Sequence, residues 1–261
     1  MIITTGGRTD EQTVLYAYSL ADKYDAPYIK RSKRSIETLK RHYHQDVVVV
    51  SRSGIIIHPF PQIEPIHFHP NMAMVRAKRI LEGKADPFIK TAGLESGMHV
   101  LDCTMGLAAD SLIASLAVGD DGRVTALESD PLLYLAVSEG LKHFTTQHVE
   151  IREAMSRIEA LHAVHHEFLQ RQEDNSFDVI YFDPMFTETV ETSDAMQVIH
   201  EQTDKSDLSL DTITEARRVA RERIVMKDHW QSSRFHDLGF VQEKRPSSLF
   251  HYGYINIDLS E

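Results

Sequence analysis

The chain has 261 residues, 42% of them apolar, a formal net charge of -11 and a single cysteine, Cys103. That size suits one α/β domain with an appendage, and the lone thiol excludes an internal disulfide and fits a reducing cytosol. The start has no basic segment followed by an apolar one, and no apolar run reaches the roughly 18 residues of a membrane span, so the reading is a cytoplasmic protein.

Of the 28 Lys and Arg and 39 Asp and Glu, residues 1–95 hold 14 and 10, which leaves a basic front and an acidic back. The acidic total argues against a general nucleic-acid coat protein. The asymmetry can still place an anionic partner on one side.

In chain order, Ile2–Thr5 reads as a strand and Asp10–Lys23 as a helix, with Val14, Leu15, Tyr18 and Ala21 at helical spacing. Pro27–Ile29 is extended, Ile36–Tyr43 a second helix, and Val47–Val50 with Gly54–Ile57 a hairpin. Together these make a small basic α/β appendage over residues 1–65. Lys30, Arg31, Lys33, Arg34, Lys40 and Arg41 face one acid, Glu37, between Tyr28 and Tyr43. Such a run is either a solvated face or a contact for a phosphate backbone.

His67 and His69 alternate across a proline-rich extended segment, with no Cys or carboxylate cluster to complete a tetrahedral set, so no metal is expected there. A helical linker follows over residues 66–97. One helix runs Met72–Leu81, capped by Asn71 and ended by Gly83; another starts at Asp86-Pro87 and runs to Leu94.

Residues 98–261 are organised around Val100-Leu-Asp-Cys-Thr-Met-Gly-Leu-Ala-Ala-Asp-Ser111. It reads as a buried strand, a tight turn and a helix start. Asp102 closes the strand, Thr104 and Gly106 form the turn, and Asp110 opens the helix. In an open α/β sheet the crevice beyond the strand ends binds ligands. One glycine in place of three suits a cofactor without a pyrophosphate. A second strand, Arg123–Glu128, ends in an acid placed to accept ribose hydroxyls, about 20 residues after the turn. Asp130-Pro131 starts a helix to His143. Val149–Ala154 reads as a third strand, with Met155 and Ser156 at its carboxyl end beside the adenine position. Ile158, Leu161, Val164 and Phe168 then give a helix its apolar face, with His162, His165 and His166 as surface or capping residues.

Phe177–Phe182 is a near-continuous apolar strand running into Asp183-Pro184-Met185-Phe186, as a buried parallel strand should be. An exocyclic amine on a base is a poor nucleophile because its lone pair is delocalised into the ring. A carboxylate and a carbonyl that accept its two hydrogens localise that lone pair, and an aromatic ring stacks the base. Asp183, the carbonyl of Pro184 and the ring of Phe186 suit those roles. The rest is positioning of an in-line displacement. Thr187–Asp207 is a long acidic stretch suited to a lid. A helix over Leu208–Arg221 leads to strand Arg223–Lys227, where Lys227 either meets a phosphate or is a plain surface lysine. Gly239–Lys244 and Phe250–Ile257 form a closing antiparallel pair. Their basic, aromatic connection, with Lys244 and Arg245, suits a base-binding rim.

Met98–Trp230 resembles the class I S-adenosylmethionine-dependent methyltransferases. Within them it resembles the ribosomal RNA small subunit methyltransferase J family, which methylates a guanine N2 in 16S rRNA. The resemblance rests on Asp102-Cys-Thr-Met-Gly-Leu-Ala-Ala-Asp110, Leu127-Glu-Ser-Asp-Pro131 and Phe182-Asp-Pro-Met-Phe186. It implies a Rossmann-like seven-stranded sheet, S-adenosyl-L-methionine as cofactor and rRNA as partner. The implied cofactor contacts are Ala109, Asp110, Glu128, Ser129, Met155, Ser156 and Asp183; Ala109 and Ser129 stand where the family has arginines. Three rival readings are a methyltransferase with a small-molecule or protein acceptor, a dinucleotide oxidoreductase, and a non-catalytic RNA-binding module.

Overall fold

The computed structural model describes residues 1–7, 9–184 and 208–257, and two sheets organise them. The first has four strands in the order β1 (Ile2–Thr5), β2 (Val47–Ser51), β3 (Gly54–His58) and β4 (Ile66–His67). Val47–Val50 is an unbroken β-branched run, stiff at χ1, and every one of its residues is buried. Helix α1 (Glu11–Lys23) starts where the Asp10 carboxylate accepts the Thr13 N–H, and α2 (Ile36–Tyr43) starts on the Ser35 hydroxyl in the same way.

Helices α3 (Asn71–Leu81) and α4 (Pro87–Ala92) lead to the second sheet. Pro70, not Asn71, occupies the cap position of α3, and Asp86 caps α4 by accepting from Phe88 and Ile89. The second sheet contains β5 (His99–Asp102), β6 (Arg123–Glu128), β7 (Ile158–His162), β8 (Phe177–Phe182), β9 (Ala220–His229), β10 (Val241–Glu243) and β11 (Phe250–Asn256). Its order is β10-β11-β9-β8-β5-β6-β7. Neighbours from β9 through β7 are parallel; β11 pairs antiparallel with β9 and with β10. The helices are α5 (Ala109–Val118), α6 (Pro131–His143), α7 (Val149–Ser156), α8 (His165–Gln170), α9 (Leu210–Val219) and α10 (Arg234–Asp237). Among the described residues, no helix is long and apolar enough to cross a membrane, and no group of three His, Cys, Asp or Glu could hold a metal ion.

Successive side chains on a strand point to opposite faces, and the core divides by that parity. Val100, Val124, Val179, Tyr181, Val225 and Tyr252 belong to the cluster that also holds α5, α6 and the small sheet. Leu101, Leu127, Ile180, Phe182, Ile224 and Met226 belong to the cluster with Leu169 of α8 and Ile213 of α9. The result is three layers, helix on sheet on helix.

Two expected elements are exchanged. Residues 149–154 form the helix α7, burying Ile151, Ala154 and Met155 at helical spacing, and the third parallel strand is Ile158–His162. His162 therefore ends a strand, and His165 is buried at the start of α8 against Phe182.

The small sheet packs on α6 and shares its core. The buried Glu139 of α6 accepts from Lys23 at 2.6 Å, Tyr16 at 2.9 Å and Tyr24 at 3.2 Å. Burial opposes its charge, but Lys23 and Tyr16 hold the carboxyl down at about 2. At Gly140 a Cβ would lie 2.2 Å from Phe68, so only glycine lets the two layers meet there.

Candidate active site

Parity places the site. Asp102 follows Val100 by two, Asp183 follows Tyr181 by two, and Lys227 follows Val225 by two. All three thus continue the α5 face at the carboxyl ends of β5, β8 and β9, with Tyr252 directly opposite Lys227 in the register. The turn after β5 is tied to both neighbours. Asp102 accepts the Thr104 N–H at 3.0 Å and the Ser111 hydroxyl at 2.5 Å. The Thr104 hydroxyl oxygen accepts the Asp183 N–H at 2.6 Å. Gly106, at φ 50, donates its N–H to Glu128 at 3.0 Å, and the other Glu128 oxygen accepts from Asp130 at 2.9 Å. Ala108 takes the same left-handed backbone at φ 58 and opens α5 at Ala109.

Beside this turn runs a chain of ions. Arg76 of α3 grips Asp86 with two nitrogens at 2.9 Å each and reaches Asp110 at 2.5 Å. Asp110 also accepts the Tyr181 hydroxyl at 2.8 Å and lies 3.4 Å from the Lys227 ammonium. Lys227 in turn holds Asp183 Oδ2 at 2.5 Å. Asp183 Oδ1 is buried and has no hydrogen-bond partner among the described residues.

The electrostatics follow from burial and neighbours. Burial would raise Asp110, but Lys227 and Arg76 pull it to about 2. Burial pushes Asp183 up, and Lys227 only partly offsets it. Burial, with Asp110 and Asp183 nearby, raises Asp102 to about 7 despite its two donors. Burial also raises Glu128. Lys227 is held well above its ordinary range by Asp183 and Asp110, against burial.

The structure brings Asp102, Thr104, Gly106, Ala109, Asp110, Glu128, Ser129, Asp183 and the buried Pro184 to one end of the sheet. Phe186 lies outside the described residues, as does the stretch read as a lid. Met155 and Ser156 are corrected. They sit on the last turn of α7, ahead of β7 and so at the amino edge, with Met155 buried and Ser156 exposed. The residues that do end β7 are His162, whose ring nitrogen lies 3.0 Å from the Ser129 carbonyl, and Ala163, whose N–H reaches the Glu128 carbonyl at 3.0 Å. Lys227 is neither on the surface nor turned to a phosphate; it is the link between Asp110 and Asp183.

In the basic run Lys30 and Lys33 are exposed, Arg31 and Arg34 bond carbonyls of their own loop, Arg41 pairs with Glu37, and Lys40 is buried on the Gln62 carbonyl. Lys244 is exposed at the carboxyl end of β10, and Arg245 lies over the Tyr252 ring at 5.8 Å. Sequence reading missed Arg76 and Tyr181.

A sequence family described as "Putative SAM-dependent methyltransferase" matches residues 61–246. The chain is 42% identical over 254 residues to "Uncharacterized protein YpiP" of Bacillus subtilis, covering 97% of this chain and 98% of that one. It is 24% identical over 246 residues to ribosomal RNA small subunit methyltransferase J of Francisella tularensis subsp. novicida, covering 91% and 87% of the two chains. With the protein of that name from Laribacter hongkongensis it shares 29% over 155 residues, 56% of this chain and 52% of that one. Among solved structures, the SAM-dependent methyltransferase NGO1261 from Neisseria gonorrhoeae aligns over 100% of this chain and 98% of its own, with a TM-score of 0.63 at 15% identity. That likeness is one of fold, the seven-stranded sheet of the class I methyltransferases.

Proposed function

The chain belongs to the S-adenosylmethionine-dependent methyltransferase family, and on that premise we propose that it methylates the exocyclic amine of a nucleobase, guanine N2 of small-subunit ribosomal RNA. One observation carries the reading. Asp183 Oδ1 is a buried carboxylate oxygen without a partner among the described residues, held beside the cofactor turn through the Asp183 N–H and Thr104. A buried acceptor left open costs free energy unless a ligand fills it.

The residues at the strand ends fit the cofactor. Glu128 uses each oxygen once and keeps acceptor capacity for the two ribose hydroxyls. Gly106 presents bare backbone to the crevice, where a Cβ would meet nothing closer than 3.9 Å. Asp102, Thr104, Ala109, Asp110 and Ser129 complete that wall. When bound, S-adenosylmethionine supplies an electrophilic methyl on a sulfonium.

Asp183 Oδ1 and the Pro184 carbonyl accept the two N–H bonds of the target amine and aim its lone pair. Phe186 stacks the base. The proton that the amine loses on methylation passes to Asp183 Oδ1 and then to water. Lys227 fixes the other Asp183 oxygen and favours the ionised carboxylate. Activity therefore falls as pH drops through the raised Asp183 range.

The relatives named ribosomal RNA small subunit methyltransferase J support rRNA as acceptor, and a ribosomal substrate is consistent with a cytoplasmic enzyme. Residues 1–65, with Lys30 and Lys33 exposed, add a surface for the phosphate backbone. The test is labelled S-adenosylmethionine with small ribosomal subunits from a strain lacking this protein. Label is expected in RNA and not in protein, and Asp183→Ala should abolish it while leaving the fold intact. Cofactor binding without label in RNA would discard the rRNA reading.

A further inference from the structure

On the far side of Arg76 from the reacting carboxylate lies a cavity of about 270 Å³, lined by Arg76, Arg79, Asp86, Pro87, Arg245 and Tyr252 among others. Its position is set by the fold. Arg245 follows the carboxyl end of β10, and Tyr252 faces Lys227 across the register, so the cavity opens at the same edge of the sheet as Asp183. Arg76 is the shared wall, bonded to Asp86 in the cavity and to Asp110 at the site.

The charge there is one-sided. The Asp86 carboxylate is fully engaged: it takes two nitrogens of Arg76 and the Phe88 and Ile89 N–H groups. Among the described residues, the guanidiniums of Arg79 and Arg245 make no ion-pair contact with a carboxylate, although the Arg79 charge helps to lower the nearby Glu82. Arg79 is exposed on α3, and Arg245 rests only on the Tyr252 ring. A second cavity, of about 460 Å³ at the amino edge, is lined by Arg221 and Arg223 among others. There both arginines are occupied, Arg221 by Asp178 and Arg223 by Asn256 and the Thr91 carbonyl. In a chain of net charge -11, these two planar forks flank the site with no carboxylate in ion-pair contact among the described residues. Such forks match phosphate oxygens in pairs.

We infer that this cavity holds a backbone phosphate of the acceptor polynucleotide, next to the nucleotide whose base meets Asp183. The inference rests on the proposed RNA acceptor. It gives the acceptor strand two fixed points, a base at Asp183 and a phosphate at Arg79 and Arg245, with Arg76 between them. Phosphate contacts set register and orientation and carry no sequence information.

The test is filter binding of an in vitro small-subunit rRNA transcript to the full chain across a salt series, with cofactor binding measured in parallel. The variant Arg79→Gln/Arg245→Gln should bind the transcript about tenfold or more weakly and lower the salt slope by about one to two. Its affinity for S-adenosylmethionine should be unchanged. The control Arg152→Gln/Arg171→Gln removes the same charge from exposed positions elsewhere and should bind the transcript like the parent.

Unchanged RNA binding in the first variant would overturn the inference, as would an equal loss in the control, or no RNA binding by the parent. Loss of cofactor affinity with RNA binding intact would give the arginines to the cofactor's carboxylate instead. Saturable stabilisation by inorganic phosphate, lost in the variant while RNA binding persists, would make the cavity a free-anion site. Methyl transfer is read separately. A parent that binds RNA through these arginines yet labels none would refute the acceptor reading and leave the phosphate site standing.

Discussion

Two aspartates stand at the carboxyl ends of neighbouring strands, on opposite faces of one sheet. Asp228, on the α9 face, is 1% exposed and accepts from Arg234 at 2.7 Å, Ser232 at 2.6 Å and its neighbour His229 at 2.7 Å. All three partners lie within six residues of it. Asp183, on the α5 face, has its N–H held by Thr104, 79 residues away, and one oxygen held by Lys227, 44 residues away. Its other oxygen has no partner among the described residues. A carboxylate satisfied from its own turn closes a strand end. One assembled from distant segments leaves a vacancy that a ligand can fill. The first arrangement is complete within its own turn; the second is the one we propose a substrate completes, and the Asp183 side chain is the more exposed of the two, at 24%.

Substitution should separate them. Asp183→Ala is expected to lower kcat for methyl transfer by about 10³-fold or more while the melting temperature holds, the scale seen when a positioned acid-base or oxyanion group is removed. Asp228→Ala should do the reverse. It should cost about 3 kcal/mol of stability, because it leaves the Arg234 charge without its buried partner, and kcat per folded molecule should stay within about twofold. Large kcat loss in Asp228→Ala at full stability would erase the distinction.

Lys227→Gln sharpens it. Without the cation, burial acts on Asp183 unopposed, so the acidic limb of kcat/KM should move to higher pH, with a loss of about tenfold near pH 6 that shrinks as pH rises. A uniform loss at every pH would assign Lys227 a different role.

A further effect, on stability and not on rate, is expected at Asp102, whose carboxyl is raised to about 7 by burial. The folded chain binds that proton more tightly than the unfolded chain, where the value is near 3.9. Its contribution to stability is therefore intact at low pH and erodes as pH rises from about 4 to 7. In urea titrations Asp102→Asn should flatten that erosion by about 2 kcal/mol relative to the parent; parallel curves would show that Asp102 does not titrate there.

The strand ends and the turn after β5 were legible because their signals are local. Asp102, Gly106 and Glu128 each sit where a strand meets a turn, and Phe177–Phe182 is apolar on both faces because both are covered. The stretch from Val149 to His162 was not legible. Val149-Glu-Ile-Arg alternates like a strand for four residues, yet Ile151, Ala154 and Met155 bury as a helix does. Ile158 and Leu161 are spaced like a helix face, yet they belong to an edge strand with a neighbour on one side only, where burial alternates weakly. That exchange moved Met155 and Ser156 to the wrong edge of the sheet. Arg76 left no local trace, since its partner Asp110 is 34 residues on. Lys227 was ambiguous for the same reason: a lysine at a strand end does not announce two aspartates delivered by β8 and α5.

Helix α6 has 13 residues, a span of about 20 Å. One end is seated on Glu128 through Asp130, and near the other Glu139 and Gly140 carry the small sheet. The helix is thus a strut loaded at both ends. Cutting away the first 65 residues would leave Glu139 with Lys142 but without Lys23, Tyr16 and Tyr24, and so unload one end of the helix whose other end rests on Glu128. The small sheet thus bears on the same helix that is seated on Glu128.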